Sequence, residues 1–506
     1  MIELRHKNLS PSAFARAAQD GLTWLGPLPT VFFLSLLLSY LALQGKVTPN
    51  ADGMLYVDAA RLLAAEGLDS ARRLYDWLFL SALIAGLSSI TGMEFQAAAF
   101  VLAALKVALV CVVLVAITRD LYPSATWAAV AVVLALPALS NYRDFIVREH
   151  GSWLFTLLSM LMLIRWCRQK RMLLVFGSQF SLLVATLFRP ESLAFLVVPF
   201  LWVMFSRRPE LSWRDLCSFL ILPGLGAVAL LVAVVGFDVQ LAGKILEQLQ
   251  AANLAEQLGT FRTAADRVGS QLSHYVMGSD ARRLLFFGLL SLIPIKFLTN
   301  LGLFVVPFFY AQGRQNRVEW LGVPGVVPLL WASGVYALIL AGLVFEVYFM
   351  QARFVALLNL LFVPVLAFGF ARLWLISGRW RWLILLLALV SVIDGVYSSS
   401  PPKTRFADAA DWIVEESGLD KQRVFYGSVE VAYLAGVVHR VHPSFGCGKD
   451  GVLPREECWQ EFDAYVVAPG SADDQFLIDL ERRGFALLRE FSDARKRSIY
   501  VFERVE

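Results

Sequence analysis

The chain lacks the glycine-rich Walker loop that cradles nucleotide phosphates. It also lacks the dinucleotide-binding glycine fingerprint and the HExxH helix of zinc hydrolases. Histidine is scarce at five residues. His439 and His442 stand three apart with Cys447 nearby, yet no four-ligand zinc spacing emerges, and Gly446-Cys447-Gly448 reads as a turn. No internal repeat or low-complexity tract is present. No cleavable signal peptide is evident: the stretch through Asp20 is polar, and the apolar run Leu22 to Leu43 exceeds a signal core. The net charge of +4 is too small to point to nucleic acid. Of the five cysteines, Cys111, Cys167 and Cys217 lie in or beside apolar runs and read as buried, inert thiols. Cys447 and Cys458 lie in a polar tail and can pair if that tail is outside the cytoplasm.

What is abundant is apolar sequence. Of 506 residues, 58% are hydrophobic, against about 45–50% in a soluble protein. Mean hydropathy is +0.62. The surplus sits in long uncharged runs, the mark of a chain that crosses a membrane repeatedly. About eleven spans are predicted. They lie near 22–43, 96–117, 125–140, 151–165, 172–188, 192–206, 216–236, 284–311, 324–345, 354–376 and 380–397. The 284–311 run holds Pro294 and Lys296 and reads as an interfacial helix followed by one span. Basic clusters at Arg165–Arg171, at Arg207, Arg208 and Arg214, at Arg314 and Arg317, and at Arg379 and Arg381 then share one side with Arg5, Lys7 and Arg16. Loops rich in Lys and Arg stay cytoplasmic. The N-terminus is thus expected inside the bacterial inner membrane and the C-terminus outside, in the periplasm.

Residues 1–397 therefore read as a membrane domain. Its outer loops carry amphipathic surface helices within 45–95 and 237–283. Two helices are expected in the first loop from Leu55, Ala59, Leu62, Leu63 and from Leu74, Leu78, Ala82, Ala85. In the second, Ile245, Leu246, Leu249 and Leu258 have helical spacing. Ser398 to Pro402 breaks the last span and acts as a linker. Residues 398–506 then form a small extracytoplasmic α/β domain. Helices are predicted at Phe406–Glu416 and Asp473–Arg483, short strands at Val424–Tyr426 and Tyr465–Val467, and a closing strand pair at Phe485–Phe491 and Ser498–Glu503.

Ionisable groups at membrane depth are costly and usually kept for function. The first candidates are in Asn50-Ala51-Asp52-Gly53-Met54-Leu55-Tyr56-Val57-Asp58, just past the first span. A carboxylate at the edge of an apolar cavity can accept a proton from a hydroxyl nucleophile. Asp52 is the candidate base and Asp58 the weaker one, with Tyr56 in support. Asp52 can equally be the N-cap of a helix starting near Met54. The second group is Tyr142 to His150, where Arg143, Asp144, Arg148, Glu149 and His150 crowd a short outer loop. If that loop is helical, Asp144 and Arg148 form an i,i+4 pair. Arginine suits phosphate because its fork bonds two oxygens. Arg143, Arg148, His150, Arg189, Lys296 and Arg353 are the candidate phosphate contacts, with Asp144, Glu149, Glu191 and Gln351 in support. Any one of these arginines taken alone can be an interfacial anchor. Lys106, inside an apolar run, reads as a snorkelling or inter-span lysine.

The Asp-x-x-x-Tyr stretch after span one, the surface helices of the first outer loop, Arg148-Glu149-His150 entering span four and Arg189-Pro190-Glu191 between spans five and six together resemble the C-fold (GT-C) glycosyltransferases. The likeness is nearest the bacterial branch related to protein O-mannosyltransferases and lipid A aminoarabinose transferases. It covers about residues 20–400. It implies an enzyme that moves a sugar from a polyprenyl-phosphate donor to an extracytoplasmic acceptor. It also implies that the first-loop acid, here Asp52, is the general base. Attack in line with the departing phosphate inverts the sugar. Many members carry a second acid directly after the first, where this chain has Gly53. That departure removes a paired carboxylate. No cofactor is required and a divalent metal, though possible, is not indicated, since fixed cations can stabilise the leaving phosphate. Membrane lipid is the other expected partner. A glycan polymerase or ligase, or a transporter or flippase of lipid-linked sugars, are the alternatives.

The orientation has a direct test. Alkaline phosphatase fused after Glu506 is expected to be active and fused after Arg171 inactive. The opposite pattern would overturn it.

Overall fold

The computed structural model describes residues 26–44, 46–205, 217–221, 224, 254–272, 278–397, 404–438, 441–449, 453–454, 458, 460–467, 480, 482–493 and 497–505. Outside these lie Arg5, Lys7, Arg16, Arg207, Arg208, Arg214, Ile245, Leu246, Leu249, the linker Ser398–Pro402 and His439. So do most of the run 216–236 and of the helix expected at 473–483.

The chain divides into two compact units. One comprises Met1–Leu38, Leu105–Arg143 and Arg148–Val396, and the other Ser39–Ala104, Asp144–Val147 and Tyr397–Glu506. One boundary between the units falls after Val396. The first outer loop groups with the tail.

The first unit is helical. Among the described residues, three helices are long and apolar enough to cross a membrane: Phe95–Leu121, Ser279–Ala311 and Val326–Val347. Ala352–Leu361 and Val363–Ile376 form a pair bent by 65° that makes a fourth if counted as one span. Shorter apolar helices include Pro27–Leu43, Phe79–Thr91, Pro123–Ala135, Met172–Phe188 and Pro190–Phe205. Among the described residues the helices do not by themselves establish eleven spans, and at two of the expected positions a proline interrupts the helix. The expected span at 125–140 is a helix Thr126–Ala135 that stops at Leu136 and restarts as Pro137–Ser140. The expected span at 192–206 opens as a 3-10 helix from Pro190 and becomes α-helical only at Val198–Phe205. Proline lacks the amide that continues the helical ladder. Pro294, by contrast, is carried inside the helix Gly278–Leu301, which Gly302 (φ +53°) ends.

Close approach decides the packing. The backbone of Gly369 lies where an added Cβ would be 2.2 Å from the Pro307 carbonyl oxygen, and at Gly395 one would be 2.3 Å from the Ser140 Cβ. Cys111 is buried and Cys167 half-buried, but Cys217 is exposed. It stands two residues after the polar pair Arg214-Asp215, at the margin of its apolar run rather than within it.

In the second unit the first outer loop forms three helices, Ala51–Ala65, Leu68–Leu74 and Phe79–Thr91, where the spacing predicted two. Gly67, at φ +89°, supplies the extra turn. Their apolar faces meet one another. Ala59, Ala71, Leu74 and Leu78 form a core against which Leu55, Leu62, Leu63, Tyr75 and the tail residue Val438 pack.

The tail holds a four-stranded sheet in the order β1-β4-β6-β5. Its strands are β1 Val424–Tyr426, β4 Ala464–Val467, β5 Phe485–Ser492 and β6 Ser498–Arg504. β1 pairs parallel with β4, and the other pairs are antiparallel. A small antiparallel pair, β2 Gly448–Lys449 and β3 Leu453–Pro454, stands apart. Strand alternation sorts the residues to two faces. Val424, Tyr426, Ala464, Val466, Ile499 and Val501 meet Phe406, Ala409, Ala410 and Ile413, whose spacing is one stripe of the helix Arg405–Glu415. On the other face Phe425, Tyr465, Val467, Phe485 and Phe502 pack with Phe462 and Cys447. Cys447 and Cys458 are joined in a disulfide, their Cα atoms 5.7 Å apart.

The disulfide closes a short loop, for which the chain-entropy model gives about 3 kcal/mol. Thiol labelling of the native protein is expected to reach neither Cys447 nor Cys458 before reduction. The Cys447→Ser, Cys458→Ser double variant should give a tail that loses resistance to protease.

Candidate functional site

In the first unit the charged groups converge on one carboxylate. Glu149 begins the helix Glu149–Gln169 and is buried. Arg189 follows the helix Met172–Phe188, where the chain turns extended before Pro190. Its Nη1 donates to Glu149 Oε1 at 2.7 Å, while its Nε donates to Glu191. Arg353, in the first turn of Ala352–Leu361, brings its Nε within 3.7 Å of the same Glu149 oxygen. The two guanidinium groups share one ring, each 5.2 Å from the centroid of Phe354. Lys106 is buried over the ring of Phe188 at 5.4 Å and within electrostatic reach of Glu149. It was read from sequence as a snorkelling or inter-span residue; an unbroken apolar neighbourhood gave no sign of a partner carboxylate 43 positions later.

The backbone that holds these side chains is pinned by polar groups. Asn300 Nδ2 donates to the Ala352 carbonyl at 2.8 Å, and Tyr336 Oη donates to the Phe354 carbonyl at 2.6 Å. Asn359 Nδ2 donates to the Phe297 carbonyl at 2.8 Å. Arg353 is thereby fixed from both sides. Gln351 occupies the N-cap position of the same helix. Gly151 lets the Phe188 ring lie against the backbone, since a Cβ there would be 2.5 Å from ring carbons. These features carry no sequence motif, being contacts between helices distant along the chain.

The other candidates fall differently. Arg143 is buried and spent on Ser35 Oγ at 2.8 Å and the Val133 carbonyl at 3.3 Å, closing the end of the helix Thr126–Ala135. His150 is buried edge-on to Trp153, 5.2 Å between centroids. Arg148 stands at the N-cap position of Glu149–Gln169, half-buried. Lys296 is half-buried on Gly278–Leu301, and no ion pair joins it to Glu149 or Glu191 among the described residues.

In the second unit Asp52 is the second residue of the helix Ala51–Ala65, and the cap position belongs to Asn50. The capping alternative for Asp52 is therefore not what the helix shows. Asn50 does not cap either, because its amide is engaged elsewhere. Its Oδ1 accepts from Ile146 N at 2.8 Å and its Nδ2 donates to the Ile146 carbonyl at 3.3 Å. Asp52 is half-buried in the first helical turn, where the helix dipole favours a negative charge. Gly53 admits the Ile146 strand of chain. A Cβ there would stand 2.9 Å from both Ile146 Cβ and Asn50 Oδ1, so an acid does not fit in this position.

Asp58 lies six residues on, about 240° round the helix from Asp52. It is buried, and Arg61 Nη1 donates to it at 3.1 Å. Burial pushes its carboxyl from 3.8 up to about 6, with the Arg61 charge and hydrogen bond opposing. Tyr56 is buried against Tyr75. Asp144 pairs with Lys46, not with Arg148. The stretch after Ser140 is a turn and then extended chain, so the i,i+4 geometry does not form. Among the described residues the one cluster of metal-ligand type is Cys447, Cys458 and Glu461, whose two sulfurs are already bonded to each other.

Two solved structures match nearly the whole chain. ArnT from Cupriavidus metallidurans bound to undecaprenyl phosphate is 14% identical, with 96% of this chain and 98% of that one covered and a TM-score of 0.42. The apo state of the same protein is 14% identical, with 97% and 98% covered and a TM-score of 0.43. No protein-family model and no curated protein matches.

The Asp58 carboxyl makes a pH prediction. A carboxyl raised in the fold holds its proton more tightly than in the unfolded chain. Its contribution to stability is complete below 3.8 and is lost as pH rises through about 6. Thermal melting of the detergent-solubilised protein between pH 4 and 7 should show this decline, and Asp58→Asn should flatten it.

Proposed function

We propose that the chain is an integral-membrane glycosyltransferase that moves a sugar from a polyprenyl-phosphate carrier to an acceptor outside the cytoplasm. The observation that carries this reading is the cluster around Glu149. Arg189 and Arg353 bring two guanidinium groups to one side of Glu149, with Lys106 buried beside them. Two guanidinium forks suit the oxygens of a phosphate. They stabilise the charge that develops on a phosphate leaving group with no metal needed. A carrier lipid brings a phosphate to the membrane surface, and Glu149, Arg189 and Arg353 stand at the ends of their helices.

Asp52 is the proposed general base. It is a half-buried carboxylate in the first turn of the helix Ala51–Ala65, while Asp58 lies deeper, on another side of the helix. Accepting the acceptor's hydroxyl proton makes that oxygen the nucleophile, and displacement opposite the phosphate inverts the anomeric carbon. Arg143 is not included among the phosphate holders, because it is buried and both its terminal nitrogens donate to Ser35 and backbone carbonyls. Broken helices mark transport sites, and the bent pair at Phe362 is a feature that suits a transporter. A carrier has no use for a base, so one variant separates the two readings.

Asp52→Asn is expected to fold and to lose about 10²–10⁴-fold in transfer, the usual cost of a missing base. Mass spectrometry of surface glycans in cells with and without the chain supplies the product to follow. A fully active Asp52→Asn would favour the carrier. For the donor site, thermal shift with undecaprenyl phosphate should stabilise the wild type. Arg353→Ala should lose that stabilisation and Arg168→Ala, in the cytoplasmic cluster, should keep it. Equal loss in both would refute the assignment.

A further inference from the structure

The cation Arg61 is not near the end of the helix where Asp52 lies, and the proposed chemistry does not use it. It nonetheless gathers three segments of the second unit. Its Nη1 donates to Asp58 on its own helix at 3.1 Å, and its Nη2 donates to Glu94 Oε1 at 2.8 Å. Its guanidinium lies 5.1 Å from the ring centroid of Tyr433 in the tail. Tyr433 is buried, and its hydroxyl donates to Gln96 Oε1 at 2.8 Å. The other oxygen of Glu94 accepts from Gln96 N at 2.6 Å and Ala97 N at 3.1 Å, capping the helix Phe95–Leu121. Glu94 is therefore fixed before Arg61 reaches it. One turn along the same seam, the tail's Val438 packs with Leu62 and Leu63 against the core of the first-loop helices.

We infer that Arg61 is a positioning residue through which the tail domain, by Tyr433, holds the helix Ala51–Ala65 and so the Asp52 carboxylate in place. This rests on the reading of Asp52 as the base. An exposed ion pair contributes little by itself. Here the guanidinium is flanked by a buried carboxylate, a capping carboxylate and an aromatic face, which restricts it to one position. The tail thereby acquires a role in catalysis without touching substrate. A helix held only by its apolar stripe can still slide and rotate; a planar fork bonded at both ends cannot.

The test uses the full chain in detergent. Hydrogen exchange of the amides of Ala51–Ala65 is followed in wild type, Tyr433→Leu, Arg61→Met and Arg61→Lys. Tyr433→Leu and Arg61→Met are expected to speed this exchange about tenfold, the worth of a partly desolvated cation–π contact. Exchange in Glu149–Gln169 should not change, which reports that the rest of the fold is intact. Arg61→Lys keeps a cation and should restore part of the protection. Tyr433→Phe keeps the ring and should exchange nearly as wild type, which guards against a leucine variant that fails to fold. The glycan product measured in cells should fall with Tyr433→Leu and stay near normal with Tyr433→Phe. Unchanged exchange in Ala51–Ala65 overturns the latch. So does normal product from Tyr433→Leu when Asp52→Asn makes none. Normal product from Asp52→Asn instead removes the base reading itself, and the exchange result then decides the latch alone.

Discussion

The buried carboxylate of Glu149 is the contact on which the charged cluster of the first unit depends. It draws the start of one helix, the end of the next and the start of a third to a single oxygen. Buried charges are expensive, and removing one partner leaves the others uncompensated. The arrangement is therefore brittle by construction. Its geometry is fixed by groups that carry no charge. Asn300 and Tyr336 hold the two carbonyls that flank Arg353, and the missing side chain of Gly151 lets Phe188 settle beneath Lys106. Such a site is organised before any ligand arrives, which is what an electrostatic mechanism requires.

The second unit depends on a different device. Asn50 reads the backbone of Ile146 as a strand neighbour would, taking one hydrogen bond and giving another. That engagement fixes the chain segment Asp144–Val147 against the start of the helix bearing Asp52. Gly53 is the condition for it. A side chain at this position would collide with Ile146 and with Asn50, so a second acid directly after Asp52 is disfavoured on steric grounds. A single carboxylate in the first turn of a helix can act as a base. It offers fewer oxygens than a divalent cation seeks.

Much of this was legible in the sequence, and what was not has a common cause. The helix at Phe406, the strand at Val424 and the closing pair β5 and β6 follow from alternation and spacing within a few residues. The candidates Glu149, Arg189, Glu191 and Arg353 were legible because each stands where an apolar run ends. That Arg189 and Arg353 meet at Glu149 was not, since those partners are separated by 40 positions or more along the chain. Arg143 and Lys106 show the same limit. Arg143 sits in a loop full of charge, yet it is occupied by Ser35 and by carbonyls freed where Pro137 stops a helix. Lys106 sits in an apolar run, yet it faces the cluster. Sequence reports the company a residue keeps along the chain, and the low dielectric of a membrane protein's interior makes company in space decisive.

The broken helices follow the same logic. A lipid-facing segment must satisfy its backbone internally, so a span interrupted by proline is tolerated only where protein covers the gap. At Leu136 the helix stops and the Ala135 carbonyl is taken by Ser391 Oγ at 2.7 Å, while Arg143 takes the carbonyls of Val133 and Leu134. Three successive acceptors released by one break thus find donors on other segments. The same reasoning applies to the bend at Phe362. It is enclosed by Phe297 and Phe308, ring to ring at 5.6 and 5.8 Å, and Asn359 just before it anchors to the Phe297 carbonyl. The interruption keeps Ala352–Leu361 short and separately oriented. Arg353 can then be aimed by its own local hydrogen bonds rather than by the direction of a full span.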